Sequence, residues 1–382
     1  MARWMDLDRY IKDAMAVGGA PLSVTVAAKE GVLYRSDAGQ ERPPPVYWLA
    51  SMTKLVTAIA VLQLWEQGRV QWDAPVAQWL PELAEPRILK GYRGEEPILH
   101  VAHGTISLAQ LMLHQSGLSY PIWNTDLARY IGQQGIPMPG SGKIAALRLP
   151  LMFEPGTGWA YSIGLDWAGQ LVERISGQRL EEYFQAHIFQ PLGMYDTAFQ
   201  VSASMQARMV DLLALDADGQ RKVIERSFTP PETCMGGAGL YGSEADFSRL
   251  LRALLGQGAL DGKRILHADS VALLLRPQVR GRHVGVMHSA MPAVSADVDP
   301  YPGQESGWAL GGLVNLQGAK GMRSAGSVGW AGAANTYFWI DPERQAAALV
   351  MMQLLPFANP LALKALSEVE GRICRALDTC SG

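Results

Sequence analysis

Cysteine is scarce, with Cys234, Cys374 and Cys380 the only three in a chain of 382 residues. They lie far apart or at the tail and form no CxxC, so neither a disulfide framework nor a zinc site is expected; one buried thiol and two tail residues account for them. Charge of one sign is equally lacking. The net charge is −3 and charged residues make up 18%, which leaves no broad basic footprint for nucleic acid or an anionic membrane. Long apolar runs are missing too. Residues 345–363 carry no acid or base but are broken by Pro356, Asn359 and Pro360, which reads as a buried strand and a loop rather than a membrane span. Asp6, Asp8 and Asp13 interrupt any apolar core of a signal peptide. The expectation is a soluble, cytoplasmic globular protein. There is no GxxxxGK[ST] and no GxGxxG, and His283 and His288 have no partners at ligand spacing, so no metal and no organic cofactor is expected.

What the chain does have is one unusual stretch, Val46 to Gly68. Pro43-Pro-Pro45 ends whatever precedes it, because proline cannot continue a helix or donate to a central strand. Tyr47 to Ala50 is apolar and extended in character. Met52 to Glu66 is apolar on nearly every face, the pattern of a buried helix, and Gly68 supplies a stop. Ser51 and Lys54 at its first turn stand one turn apart on one face. Two readings fit the pair. Ser51 as an N-cap with a snorkelling Lys54 is the ordinary one, and composition alone puts on the order of one Ser-x-x-Lys in a chain this long. The other makes Ser51 a nucleophile and Lys54 its proton acceptor. A helix N-terminus and burial both disfavour an ammonium, and both push the lysine towards a neutral base.

The rest of the chain frames this stretch. Leu7 to Ala16 has helical periodicity and ends at Gly18-Gly19; Leu22 to Ala27 and Val32 to Arg35 read as two strands about a Lys29-Glu-Gly31 turn. From Val70 to Val223 the strand signal is weak and helices dominate: Asp73 to Leu80, Ser107 to His114, Gly164 to Ile175 and Leu180 to Phe189, with a Gly-rich loop from Gly132 to Gly142. A surface hairpin is expected around Asp218-Gly219. Ser243 caps a helix to Leu255, and the glycines of Met235 to Gly242 read as close backbone approach near a site. Val279 to Gly307 is a long irregular loop of the kind that forms lids. Trp308 to Leu316, Ser327 to Ile340 and Ala346 to Leu354 read as three strands, and Asn359 to Ala376 as a closing helix. Residues 1–69 with 224–382 are thus expected to form one α/β domain and 70–223 a helical insert, an α+β arrangement with a groove between the lobes.

Acyl chemistry on a serine needs a second proton-handling group and backbone donors for the oxyanion. Tyr161, in the loop Glu154-Pro-Gly-Thr-Gly-Trp-Ala-Tyr-Ser-Ile-Gly164, and the glycine-bearing strand opening Gly329-Trp330-Ala-Gly332 are the candidates; a packed aromatic and a weakened edge strand are their plainer readings. Taken in order, Ser51-Met-Thr-Lys54, Phe153 to Ser162 and Trp330-Ala-Gly332 resemble the three motifs of the serine β-lactamase and penicillin-binding-protein superfamily. More narrowly they resemble family VIII carboxylesterases, which are similar to class C β-lactamases. His114 to Tyr120 and Gly236 to Gly242 look like connecting segments of that family, so the resemblance covers most of the chain. It implies a β-lactamase-like fold, an antiparallel sheet flanked by helices with an inserted all-α lobe. It also implies Ser51 as nucleophile, Lys54 and Tyr161 as proton handlers, and the backbone N–H groups of Ser51 and Ala333 around the oxyanion.

Two departures bear on substrate. Where β-lactam-hydrolysing relatives have Asn in the tyrosine motif this chain has Ile163, and where they have Lys-Thr-Gly it has Trp330-Ala-Gly332. Trp330, Gly332, Ile163 and Tyr241 are therefore the expected substrate-binding residues, Trp330 as an apolar wall, and the expected partner is a small neutral ester, with no nucleic acid and no membrane. An amidase or D-aminopeptidase, a weak β-lactamase, an acyltransferase on the same machinery, and an inert binding protein are the alternatives. An α/β-hydrolase reading rests only on Ala160-Tyr-Ser162-Ile-Gly164 and Ala325-Gly-Ser327-Val-Gly329, near misses to GxSxG that lack the strand-turn-helix context.

Overall fold

The computed structural model describes residues 2–16, 21–36, 43–216 and 219–379; Gly18-Gly19, Asp218 and Cys380 lie outside them. Helix α1 (Met5–Ala16) leads to the hairpin β1 (Ser23–Ala28) and β2 (Gly31–Arg35), and β3 (Val46–Trp48) runs into the short turn Ala50–Met52 and then α2 (Thr53–Glu66). Every residue of α2 from Thr53 to Leu64 is buried, as its all-round apolar sequence demands.

The stretch from 70 to 223 is less helical than its sequence suggests. Asp73 to Leu80 holds only the 3-10 turn Val76–Gln78, framed by Pro75 and Pro81. A two-stranded hairpin, β4 (Arg87–Arg93) and β5 (Glu96–Val101), follows. Its strands are charged and largely solvated, with an irregular register between Leu89 and Tyr92, so the alternation that marks a half-buried strand is absent. Helices α3 (Leu108–Met112), α4 (Thr125–Gln134), α5 (Gly164–Ser176) and α6 (Leu180–Phe184) follow, and Leu213–Leu215 pairs antiparallel with Arg221–Val223 on either side of the turn expected to be a hairpin. Ser107 caps α3 in a capping box with Gln110. Helix α4 absorbs Gly132, which the sequence assigns to a loop, because the left-handed stop comes three residues later at Gly135.

Strand β6 (Tyr241–Ser243) feeds α7 (Glu244–Leu255), capped by Ser243. Then β7 (Val279–Gly281), β8 (Ser306–Ala309), β9 (Gly312–Asn315), β10 (Val328–Gly332), β11 (Thr336–Asp341) and β12 (Ala346–Met351) build the main sheet, closed by helix α8 (Pro360–Asp378). Its eight strands run in the order β7-β8-β9-β10-β11-β12-β1-β2, every neighbouring pair antiparallel. Two expected single strands are each a pair. Trp308 to Leu316 folds back at Leu310-Gly311, bringing Trp308 opposite Leu313, and Ser327 to Ile340 folds at Ala333–Asn335, where Asn335 takes a φ of 59°. A continuous run of small and apolar residues hid both turns, and asparagine is among the few side chains that tolerate the left-handed region.

The strand carrying Trp330 is not an edge strand, since β10 lies between β9 and β11. Its pairing with β9 covers only Val328 and Gly329; Trp330 to Gly332 pair with β11 alone. Beyond β9 the other side of β10 packs on the Ala50–Met52 turn. A Cβ at Gly332 would stand 2.3 Å from the Leu49 carbonyl oxygen, so glycine is what lets strand and nucleophile turn meet. Cys374 is buried in α8 rather than being a tail residue. Among the described residues, no helix is long and apolar enough to cross a membrane.

Candidate active site

Ser51 lies in the Ala50–Met52 turn and Lys54 in the first turn of α2, and the one-turn spacing brings Lys54 Nζ to 3.2 Å from Ser51 Oγ. Ala50 just before them has a φ of 44°, a left-handed backbone that costs an alanine about 1–2 kcal/mol. Lys54 Nζ also donates to the Tyr120 hydroxyl at 3.0 Å and to the Gly237 carbonyl at 2.7 Å. Burial pushes this amine down to about 7, opposed by the negative charge of Asp166. The sequence argument for a weakened lysine therefore has its physical counterpart here, desolvation first.

Tyr161 reaches the same point from the loop before α5. His114 clamps that loop on both sides: its carbonyl accepts from the Ala160 N–H at 3.0 Å, and its Nδ1 accepts from the Ser162 N–H at 3.2 Å. The Tyr161 hydroxyl accepts from Trp330 Nε1 at 2.7 Å and bonds to Ser51. Its ring centroid is 4.7 Å from Lys54 Nζ. Burial raises the phenol's pKa, so its proton is retained at neutral pH, although the bonds to Ser51 and Trp330 pull the other way.

A third layer sits behind the lysine. Asp166, in the first turn of α5, accepts from the Gly237 N–H at 2.9 Å through Oδ1 and pairs with the Tyr120 hydroxyl at 3.1 Å through Oδ2. Burial raises the Asp166 carboxyl, and the Lys54 charge with these two hydrogen bonds draws it back. Burial likewise raises the Tyr120 phenol. Sequence reasoning missed this carboxylate because an acid in the first turn of a helix ordinarily serves the macrodipole. The available signal was its setting: Leu165 and Trp167 flank it at the apolar start of α5.

Aromatic rings wall the centre. Trp308 stands 4.7 Å from Trp330 and 5.8 Å from Tyr161, and Trp123 stands 5.4 Å from Tyr161 (ring centroids). Free space at Ser51 is a cavity of about 10 Å³, bounded by Lys54, His114, Trp308 and Trp330 together with Leu55, Leu165, Leu310 and Phe338. Ala333 follows β10 at the turn into β11, and Gly332 abuts Leu49. Ile163 is fully buried at the N-cap of α5. Tyr241 lines a different cavity, with Trp48 and Phe228, outside the set of residues bounding the space at Ser51.

The rival serines are poorly placed. Ser162 Oγ lies 3.0 Å from His114 Nδ1, a serine–histidine pair in outline. Yet both residues are fully buried, burial lowers the imidazole's pKa well below its usual value, and His114 Nε2 has no hydrogen-bond partner to orient it. Ser327 is buried with an unpaired hydroxyl. Among the described residues, no group of His, Cys, Asp and Glu could hold a metal ion.

A profile of the beta-lactamase family matches residues 7–370. The chain is 30% identical over 352 residues to a lovastatin esterase of Penicillium rubens, covering 88% of this chain and 86% of that protein. It is 32% identical over 326 residues to a monacolin J acid methylbutanoyltransferase of Aspergillus terreus, covering 82% and 78%. A simvastatin synthase variant from Aspergillus terreus superimposes with a TM-score of 0.83 at 27% identity, over 99% of this chain and 98% of that one.

Proposed function

The chain belongs to the beta-lactamase family, with its β-lactamase-like α+β fold, and is a serine hydrolase; from that premise we propose that it is a carboxylesterase of the family VIII type, working through an acyl-enzyme on Ser51. The observation that carries the reading is the contact of Ser51 Oγ with a buried lysine poised near neutrality. Neutral Lys54 takes the serine proton as Oγ attacks the ester carbonyl. The backbone N–H of Ser51 is a first-turn amide, which has no carbonyl a turn before it to bond; with the Ala333 N–H it is assigned to the developing oxyanion. Tyr161 remains a phenol and so acts as the acid: it gives its proton to the departing alkoxide, and the proton that Lys54 took from Ser51 replaces it, which returns the lysine to its neutral form. The C–O bond to the alcohol breaks, the alcohol leaves neutral, and water repeats the sequence on the acyl-enzyme with Lys54 again as base.

The apolar walls, Trp330 foremost, and the absence of a cation in that strand position support a neutral apolar acyl group. Ile163, inside the core, supports this by lacking an amide rather than by contact. For Tyr241, which lines its own cavity, a place in an outer binding region is the remaining role. An acyltransferase is the second reading, because one relative is named a methylbutanoyltransferase and another an esterase. The two share every step up to the acyl-enzyme and differ only in whether water or a bound alcohol accepts it.

Hydrolysis of p-nitrophenyl butyrate by the wild type and by Ser51→Ala, side by side, tests the nucleophile. We expect the variant to fall to background while melting like the wild type; equal turnover would move the reaction to another serine. Adding a small alcohol to the wild-type assay separates the two readings, a transferase forming the new ester in place of free acid.

A further inference from the structure

No step above uses Asp166, although both of its carboxylate oxygens are hydrogen-bonded inside the site. It is 2% exposed, and the two groups it bonds, Gly237 and Tyr120, are the two that share Lys54 with Ser51. Resting on the reading of Lys54 as the base, we propose that Asp166 is a positioning residue that aims the lone pair of neutral Lys54 at Ser51.

The argument is one of donors and acceptors. A neutral amine has two N–H bonds and one lone pair, whereas a carboxylate only accepts. The Tyr120 hydroxyl must then give its single hydrogen to Asp166, so towards Lys54 its oxygen can only accept. The Gly237 carbonyl can only accept as well. Both N–H bonds of Lys54 are thereby committed, at 3.0 and 2.7 Å. The direction left over is that of Ser51 Oγ at 3.2 Å, and the lone pair must lie there. Were a donor to replace the carboxylate, the Tyr120 hydrogen could turn to the lysine and cap the lone pair. Asp166 takes no proton in this scheme; it orders those of its neighbours, much as a buried aspartate fixes an imidazole. The backbone is shaped for it: a Cβ at Gly237 would stand 2.3 Å from Asp166 Oδ2.

The test is the pH profile of p-nitrophenyl butyrate hydrolysis for the wild type, Asp166→Asn and Tyr120→Phe, with Ser51→Ala as the blank and melting curves for each. In Asp166→Asn we expect kcat to fall on the order of 100-fold with KM within about twofold. The acid limb of kcat/KM should move to lower pH, because the charge that favoured protonated Lys54 is gone. Tyr120→Phe keeps the Asp166–Gly237 contact and should lose kcat to a similar degree, with the double variant no worse than Asp166→Asn. A purely structural role would lower melting temperature and leave the limb in place, which overturns the assignment. Should Asp166→Asn fail to fold, Tyr120→Phe decides alone, and a wild-type kcat there overturns it. Turnover that does not depend on Ser51 would sink the proposed function and this assignment together; Ser51-dependent turnover with unaltered variants sinks the assignment only.

Discussion

At the scale of single residues, the protonation of Lys54 governs the proposed chemistry. Below about 7 the amine is a cation with no lone pair, and above it the base is available. The sign is fixed by the role: kcat/KM should climb roughly tenfold per pH unit below the limb and level off above pH about 7. A flat profile from pH 5 to 8 in a stopped assay would remove the lysine from the reaction. Ser51, Lys54 and Tyr161 were legible in the sequence because each belongs to a short phrase with fixed spacing, and the structure brings the three together. Asp166 and the Lys54 bond of Tyr120 were not legible, since they act through contacts 46 and 66 residues apart in the chain. Nor was His114, whose grip on the tyrosine loop depends on a fold that places residue 114 beside 162.

At the scale of elements, the site is a junction of a helix start and the open flank of a strand. Gly332 is the residue that permits the junction, because any side chain there would collide with Leu49 O and Thr336 Oγ1, each 2.3 Å from a Cβ. Gly332→Ala should therefore separate β10 from the Ser51 turn. We expect loss of most p-nitrophenyl butyrate turnover together with about 1–3 kcal/mol of stability, the first read by hydrolysis and the second by urea unfolding. Activity at the wild-type level would show that the two elements need not touch. Helices with a clear cap, those begun by Ser107, Ser243 and Asn359, were well marked, whereas α4 was missed and Asp73 to Leu80 forms no α-helix. Strand boundaries were not, because a strand paired on both sides and buried on both faces carries no alternation, and β10 into β11 reads as one apolar run.

At the scale of the whole molecule, β10 and β11 border two cavities, with Trp330 and Phe338 common to both. Trp330, whose indole reaches Tyr161, also lines a second cavity, of about 380 Å³, together with Gly329, Ala331, Tyr301, Leu366 and Glu370. Glu370 there pairs with Arg323, whose Nε lies 2.8 Å from Oε1, tying the turn after β9 to α8. Glu370→Gln would leave a largely buried guanidinium without its counter-charge, at a cost of about 3 kcal/mol. We expect a lower urea midpoint with kcat/KM of the folded enzyme unchanged; a matching fall in kcat/KM would show that the two cavities are coupled. The opening helix and hairpin, α2 and the closing strands and helix were readable from sequence, whereas the β4–β5 hairpin, α4 and the choice of strand neighbours were not. The pairing of Ser23 with Met351 and of Ala28 with Ala346 leaves no local trace. That pairing has a consequence for biosynthesis. Chains emerge from the ribosome amino end first, and the hairpin made early has no sheet to join until β12 has been translated. Val24 and Val26, fully buried in the finished protein, must spend nearly the whole of synthesis uncovered. A chain stalled before β12 has β7 to β11 free to pair with one another, but no strand to join them to β1 and β2.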